Sequence, residues 1–181
     1  VGAETVGAVG ARHKVEHARA MGAGHVIDRS SQDLWTRARE LAPEGYHAIF
    51  DANGVATLRD SYEHLAPTGR LMVYGFHSML PQSGSLNRVR LLWDWLRTPR
   101  FNPLDMTSQN RSVLAANLSY LQSQSTRLRR GMLWLLDRFE SGELTPLPVE
   151  TYALQRAAEA QKRIESGQTF GKLALIARES T

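Results

Sequence analysis

The sequence predicts an α/β fold built on a doubly wound parallel sheet. Over residues 1–75, short apolar runs of about five residues alternate with amphipathic stretches of helical period, the signature of repeated βαβ units. Turn and capping residues separate the runs at nearly every junction. Strands joined through helices must run parallel, and right-handed crossovers wind helices onto both faces of the sheet.

The elements come in order. Thr5-Val6-Gly7-Ala8-Val9 reads as a strand closed by Gly10, and Lys14–Met21 as a helix stopped by Gly22. His25-Val26-Ile27-Asp28 is a second short strand. Ser31 or Asp33 is placed to cap a helix that runs through Trp35 and Ala38 to Leu41 and ends before Pro43. Tyr46–Asp51 is a third strand, and Thr57 stands at the cap of a helix from Leu58 to Leu65. Pro67-Thr68-Gly69 reads as a turn into a fourth strand, Arg70–Tyr74, which Gly75 ends.

Beyond this point the pattern changes. Ser78–Ser85 is rich in turn residues, Leu86–Leu96 is an amphipathic basic and aromatic helix, and Pro99 and Pro103 break the chain after it. Ser112–Leu121 fits a strand or a short helix, since spacing alone does not separate the two. Arg127–Phe139 is a helix with Leu128, Met132, Leu135, Leu136 and Phe139 on one face. Thr145–Pro148 reads as a linker, Leu154–Ile164 as a helix and Gly171–Ile176 as a final strand.

Composition narrows the function. The 181 residues suffice for one ordinary domain, or one domain and part of another; 42% are hydrophobic and 22% charged, as in a soluble core-forming protein. With no cysteine, the chain offers neither a disulfide nor a thiolate metal site, which suits a cytoplasmic protein. No apolar run approaches the ~20 residues of a membrane span, and Val1–Glu4 has no basic signal-peptide start. The net charge of +4 comes from scattered arginines rather than a Lys/Arg block, so no nucleic-acid partner is expected.

The segments GAETVGAVGARHKVEHARAMGAGHVID, HAIFDANG, LAPTGRLMVYGF, NRSVLAANLSYL and ESGELTPLPVETYALQRAAEAQKRIESGQTFGKLALI stand in that order. In order and spacing they resemble the medium-chain dehydrogenase/reductase superfamily. Within it they are most similar to the zinc-independent quinone oxidoreductase and zeta-crystallin branch, including the vesicle amine transport protein homologues. The resemblance implies a Rossmann-type sheet incomplete at its N-terminal side, because the family's first strand and glycine-rich phosphate loop have no counterpart after Val1. It further implies that residues 1–142 are nucleotide-binding. Residues 143–181, the last helix and strand, return to a GroES-like catalytic domain, so that the chain is expected to be part of a longer protein.

In a Rossmann sheet, an acidic residue at the end of the second strand binds the ribose 2′-hydroxyl of NAD. Here the matching strand runs into Gly10-Ala11-Arg12-His13-Lys14, without a carboxylate. Cations there attract a 2′-phosphate, which a carboxylate repels. Lys14 matches the lysine that quinone reductases place on that phosphate, and Arg29 stands where several relatives carry a Tyr with the same duty. NADPH is the implied cofactor. The resemblance also places Asn53-Gly54 beside the cofactor ribose, Gly75-Phe76 and Asn117 near the nicotinamide, and Lys172 on the terminal strand near the cofactor.

The six histidines show no metal-ligand spacing with a third partner and read as surface residues, so no metal site is expected. No nucleophile elbow or Walker loop is present, and no catalytic residue is assigned. The implied reaction is hydride transfer to a quinone or α,β-unsaturated carbonyl. Two contact surfaces are expected: Ser112–Leu121 as a homodimer strand, and the basic-aromatic Leu86–Phe101 either as a cleft or subunit insert or as a peripheral membrane contact. The rival functional reading is a non-catalytic NADPH-binding, lipid-associated protein on the same fold.

Overall fold

The computed structural model of the chain describes residues 2–76 and 88–177, with side chains in the 88–97 helix from Leu92 onward. Ser78–Ser85 and the expected helix start at Leu86 lie outside the described residues. Contacts divide the chain into two compact units, Val1–Val26 with Ser125–Thr181, and Ile27–Gln124.

The second unit holds the largest sheet. Strands β3 (Tyr46–Asp51), β4 (Leu65–Val73) and β5 (Ser112–Ala115) lie side by side in that order, all parallel, as the alternating pattern predicts. Asp51 pairs with Val73 and Val73 with Ala115, so the three strands end together at one carboxyl edge. Helix α2 (Leu34–Leu41) leads into β3, and α3 (Leu58–Glu63) connects β3 to β4. The Asp33 carboxylate accepts the Thr36 N–H at 2.8 Å, which fills the N-terminal cap of α2; the Thr36 side chain first, and then its N–H, hold the Asp33 carboxyl below its ordinary range. Leu58, Leu65, Leu71 and Val73 form the core, with Ile49, Tyr62, Phe101 and Val113 packed around it. Burying each Leu or Val side chain contributes roughly 1.5–3 kcal/mol.

In the first unit, the short β1 (Val6–Val9) leads through a 3-10 turn, Arg12–Lys14, into α1 (Val15–Ala20); β2 (His25–Asp28), which pairs with β1, begins in this unit and ends in the second. Strands β6 (Val149–Ala153) and β7 (Lys172–Ile176) form a separate parallel pair joined through α7 (Ala157–Glu165). Helix α6 (Ser125–Glu140) leaves Leu128, Met132, Leu135, Leu136 and Phe139 exposed along the expected face.

The structure departs from the sequence expectations at several places. Pro67-Thr68-Gly69 is not outside the strand: β4 begins at Leu65, paired with Tyr46, and the register shifts before Ala48 meets Arg70. Turn chemistry has produced a bulge inside a strand. Thr68 takes φ 66°, and a side chain on Gly69 would sit 2.7 Å from both the Ala66 and Tyr46 carbonyl oxygens. Pro103 starts a helix rather than breaking one. It stands in the first turn of α5 (Pro103–Gln109), where its missing N–H costs nothing, and Asn102 caps it through the Leu104 N–H. Pro148 leads at once into β6, a strand that the linker reading does not anticipate. Ser112–Leu121 is both alternatives in sequence, a four-residue strand and then a 3-10 turn, Leu118–Tyr120. Helix α4 covers Arg88–Arg97, one residue past the end expected at Leu96.

Candidate functional site

The expected cofactor residues fall into two groups, one in each unit. In the first unit, Gly10 comes directly after β1, and Arg12 and Lys14 lie in the 3-10 turn that the Lys14 N–H to Ala11 carbonyl bond closes at 3.0 Å. Arg12 is exposed and Lys14 half-buried. Among the described residues neither side chain has a hydrogen-bond or ion-pair partner. The next carboxylate along the chain, Glu16, is already paired with Arg19 at 2.8 Å. Arg12 and Lys14 are thus unpaired among the described residues, and residues 10–14 themselves carry no carboxylate.

The second group gathers at the carboxyl edge of β3–β4–β5. Here β3 runs into Asn53-Gly54, β4 into Gly75-Phe76 and β5 into Asn117. Main-chain bonds from Tyr74 N–H to the Asp51 carbonyl (3.1 Å) and from Ala116 N–H to the Val73 carbonyl (3.0 Å) carry the ladder to this rim. Asn53 is half-buried, Phe76 exposed, and Asn117 caps the adjoining 3-10 turn through the Ser119 N–H. In open α/β sheets ligands bind outside this edge. Arg29 lies in the second unit but in the turn after β2, where it is exposed. Lys172 opens β7, its N–H bonded to the Pro148 carbonyl, in a sheet separate from Gly10, Arg12 and Lys14.

Sequence reasoning missed the residue that builds the second group. Asp51 is 3% exposed, and its carboxylate accepts four hydrogen bonds. Oδ1 takes the N–H groups of Asn53 (2.8 Å) and Gly54 (3.1 Å), and Oδ2 takes the hydroxyls of Thr57 and Ser61 (2.7 Å each). Thr57 thus occupies the cap position of α3 without capping it, because its hydroxyl donates to Asp51. The available signal is an Asp at a strand end with hydroxyl residues six and ten positions later. A parallel arrangement ends β2, where the Asp28 carboxylate takes the Ser30 N–H and the hydroxyls of Ser30 and Ser31.

One histidine also corrects the surface reading. His64 is 7% exposed, its ring lies 4.8 Å from Trp35, and its two nitrogens stand 2.8 and 3.3 Å from the carbonyl oxygens of Asp60 and Trp35. It joins α2 to the end of α3. Among the described residues no three His, Cys, Asp or Glu side chains come together as a metal site.

A family model described as zinc-binding dehydrogenase matches residues 21–175. A 2-haloacrylate reductase from Burkholderia sp is 29% identical over 178 residues, covering 97% of this chain and 49% of that protein. A quinone oxidoreductase of Pseudomonas syringae has a crystal structure that superposes with a TM-score of 0.66 at 28% identity, covering 97% of this chain and 49% of that one. The Escherichia coli quinone oxidoreductase solved with NADPH superposes at 0.70 and 24% identity, over 97% of this chain and 50% of that one. The chain spans between 32% and 49% of the length of the curated relatives that it matches over most of its own length. Although the family is named for zinc, the described residues supply no fitting donor set, and the chain has no cysteine. With its parallel α/β architecture and a family match across most of its length, the chain belongs to the zinc-binding dehydrogenase family.

Proposed function

We propose that this chain is the cofactor-binding part of an NADPH-dependent, zinc-independent oxidoreductase that reduces a quinone or an α,β-unsaturated carbonyl. One observation carries the reading: the turn that follows β1 carries Arg12 and Lys14, unpaired among the described residues, where a NAD-binding sheet would carry a carboxylate. NADPH, when bound, supplies the hydride. The chain's own residues bind and orient it: Lys14, with Arg12 and Arg29, attracts the 2′-phosphate, Asn53 borders the ribose, and Gly75, Phe76 and Asn117 line the nicotinamide side. The Pseudomonas quinone oxidoreductase and the Burkholderia reductase support the substrate class, and the NADPH-bound Escherichia coli enzyme supports the cofactor. The expected domain boundary at residues 142/143, cytoplasmic placement and a homodimer through Ser112–Leu121 belong to the same reading. The test is NADPH oxidation by the full-length protein with a panel of quinones and enones. Turnover with one class supports the reading, and binding of NADPH without turnover of any acceptor removes the enzymatic part.

A second reading rests on α4. Trp93, Trp95 and Leu96 are 59–60% exposed beside Arg97 and Arg100, and Arg100 lies 6.0 Å over the Trp95 ring. Such a helix lies in a membrane interface without crossing it, and no described helix is long and apolar enough to span a bilayer. In this reading the protein binds NADPH and anionic lipid without reducing a substrate. Co-sedimentation with phosphatidylserine vesicles, abolished by replacing Trp93 and Trp95 with Ala, tests it.

A further inference from the structure

The structure assigns Asp51 a role that neither the family description nor the sequence motifs give it: we infer that it is the positioning residue of the dinucleotide edge. The residue ties three elements together. Its main-chain carbonyl accepts the Tyr74 N–H at the end of β4, Oδ1 gathers the N–H groups of the Asn53-Gly54 turn, and Oδ2 is anchored by Thr57 and Ser61 of the α3 segment. Every described polar contact of the carboxylate is a donor pointing at it, and Thr57 and Ser61 are themselves 9% and 2% exposed. A buried carboxylate satisfied from four sides rests in one place, and a group held in that way holds its partners in turn.

The rim is the part it holds. Gly54 accepts the Thr57 and Leu58 N–H groups through its carbonyl, and it lies against Phe76 so closely that a Cβ would fall 2.6 Å from the Phe76 ring. Gly75 approaches Ala52 in the same way, a Cβ there reaching 3.0 Å from the Ala52 carbonyl. The turn from β3 and the turn from β4 are therefore interlocked. A shift of Asn53-Gly54 moves Phe76 with it. The inference rests on the reading that this rim meets the cofactor, and it deepens that reading by naming the residue that sets the rim's geometry. Because the rim faces the part of the dinucleotide that NADPH and NADH share, Asp51 acts on both alike, whereas Lys14 acts on the 2′-phosphate alone.

The experiment titrates NADPH and NADH into the full-length protein and records melting temperature alongside. Asp51→Ala is expected to weaken both cofactors by the same factor, about tenfold, and Thr57→Val by at least about threefold, with Thr57→Ser returning to wild-type affinity. Should Asp51→Ala fail to fold, the Thr57→Val and Thr57→Ser pair decides by the same criterion. A lowered melting temperature with both affinities unchanged shows a purely structural carboxylate and overturns the inference, leaving the proposed function in place. A wild-type protein that binds neither dinucleotide overturns the proposed function and this inference with it.

Discussion

Gly54 and Phe76 are in contact across the ends of two neighbouring strands, with Gly54 at φ +81° and no room for a side chain beneath the phenyl ring. Both causes disfavour any other residue at position 54. Gly54→Ala is expected to cost about 1–3 kcal/mol from left-handed strain and overpacking, read as a lower urea midpoint at unchanged slope. An unchanged midpoint would mean that the turn and Phe76 move apart freely.

Tyr46 links β3 to α2, its hydroxyl donating to the Ala38 carbonyl at 2.8 Å. Burial raises its ionisation above the ordinary tyrosine value, with Arg37 opposing more weakly. A raised value in the folded state means that the contribution is fully present below the unfolded pKa of about 10 and is lost as pH rises through the folded value. Tyr46→Phe should lower stability by about 1 kcal/mol at neutral pH and reduce the additional loss in the alkaline range. Urea unfolding of both proteins at neutral and alkaline pH checks this. Parallel curves for the two proteins through that range would contradict it.

Much of the second unit is legible in the sequence because its signals are local and strong. Tyr46–Asp51, with its own turn residues on either side, and Asp33 before a helix stand where expected, as does Gly22 after α1 in the first unit. The failures share a physical cause, in that one residue type serves two ends. Pro103 reads as a terminator and acts as an initiator, because only the preceding Asn102, bonded to the Leu104 N–H, distinguishes them. Pro67-Thr68-Gly69 has turn chemistry, yet pairing of Leu65 with Tyr46 across the bulge makes it part of β4, and pairing is not visible locally. The same holds for the site. Lys14 stands out because a missing carboxylate is visible in one dimension. Asp51 does not, because its importance lies in four donors that only the fold assembles.

Strand β5 forms one border of the β3–β4–β5 sheet. The Ala116 N–H bonds back to Val73, so by the alternation of a strand the Ala115 N–H faces away from β4, on the side where no strand pairs among the described residues. Ala115→Pro therefore removes a donor from the open edge while sparing the bond to β4. With that edge as the homodimer seam, the variant should shift the full-length protein toward monomer in light scattering, by about tenfold or more in the dimer dissociation constant. A dimer of unchanged affinity would place the interface elsewhere.

Cofactor choice decides whether the end of β1 is a 2′-phosphate site. A charge-assisted hydrogen bond from Lys14 to that phosphate contributes roughly 1.5–3 kcal/mol, a factor of about ten to a hundred in affinity. NADH lacks the phosphate and finds no carboxylate at the end of β1 for its 2′-hydroxyl. Titration of the full-length protein with each dinucleotide should give at least about tenfold tighter binding of NADPH, shrinking as salt screens the exposed Arg12 and Arg29. Lys14→Ala should remove most of that preference by weakening NADPH and leaving NADH nearly unchanged. Equal affinity of the wild-type protein for NADPH and NADH would contradict the assignment.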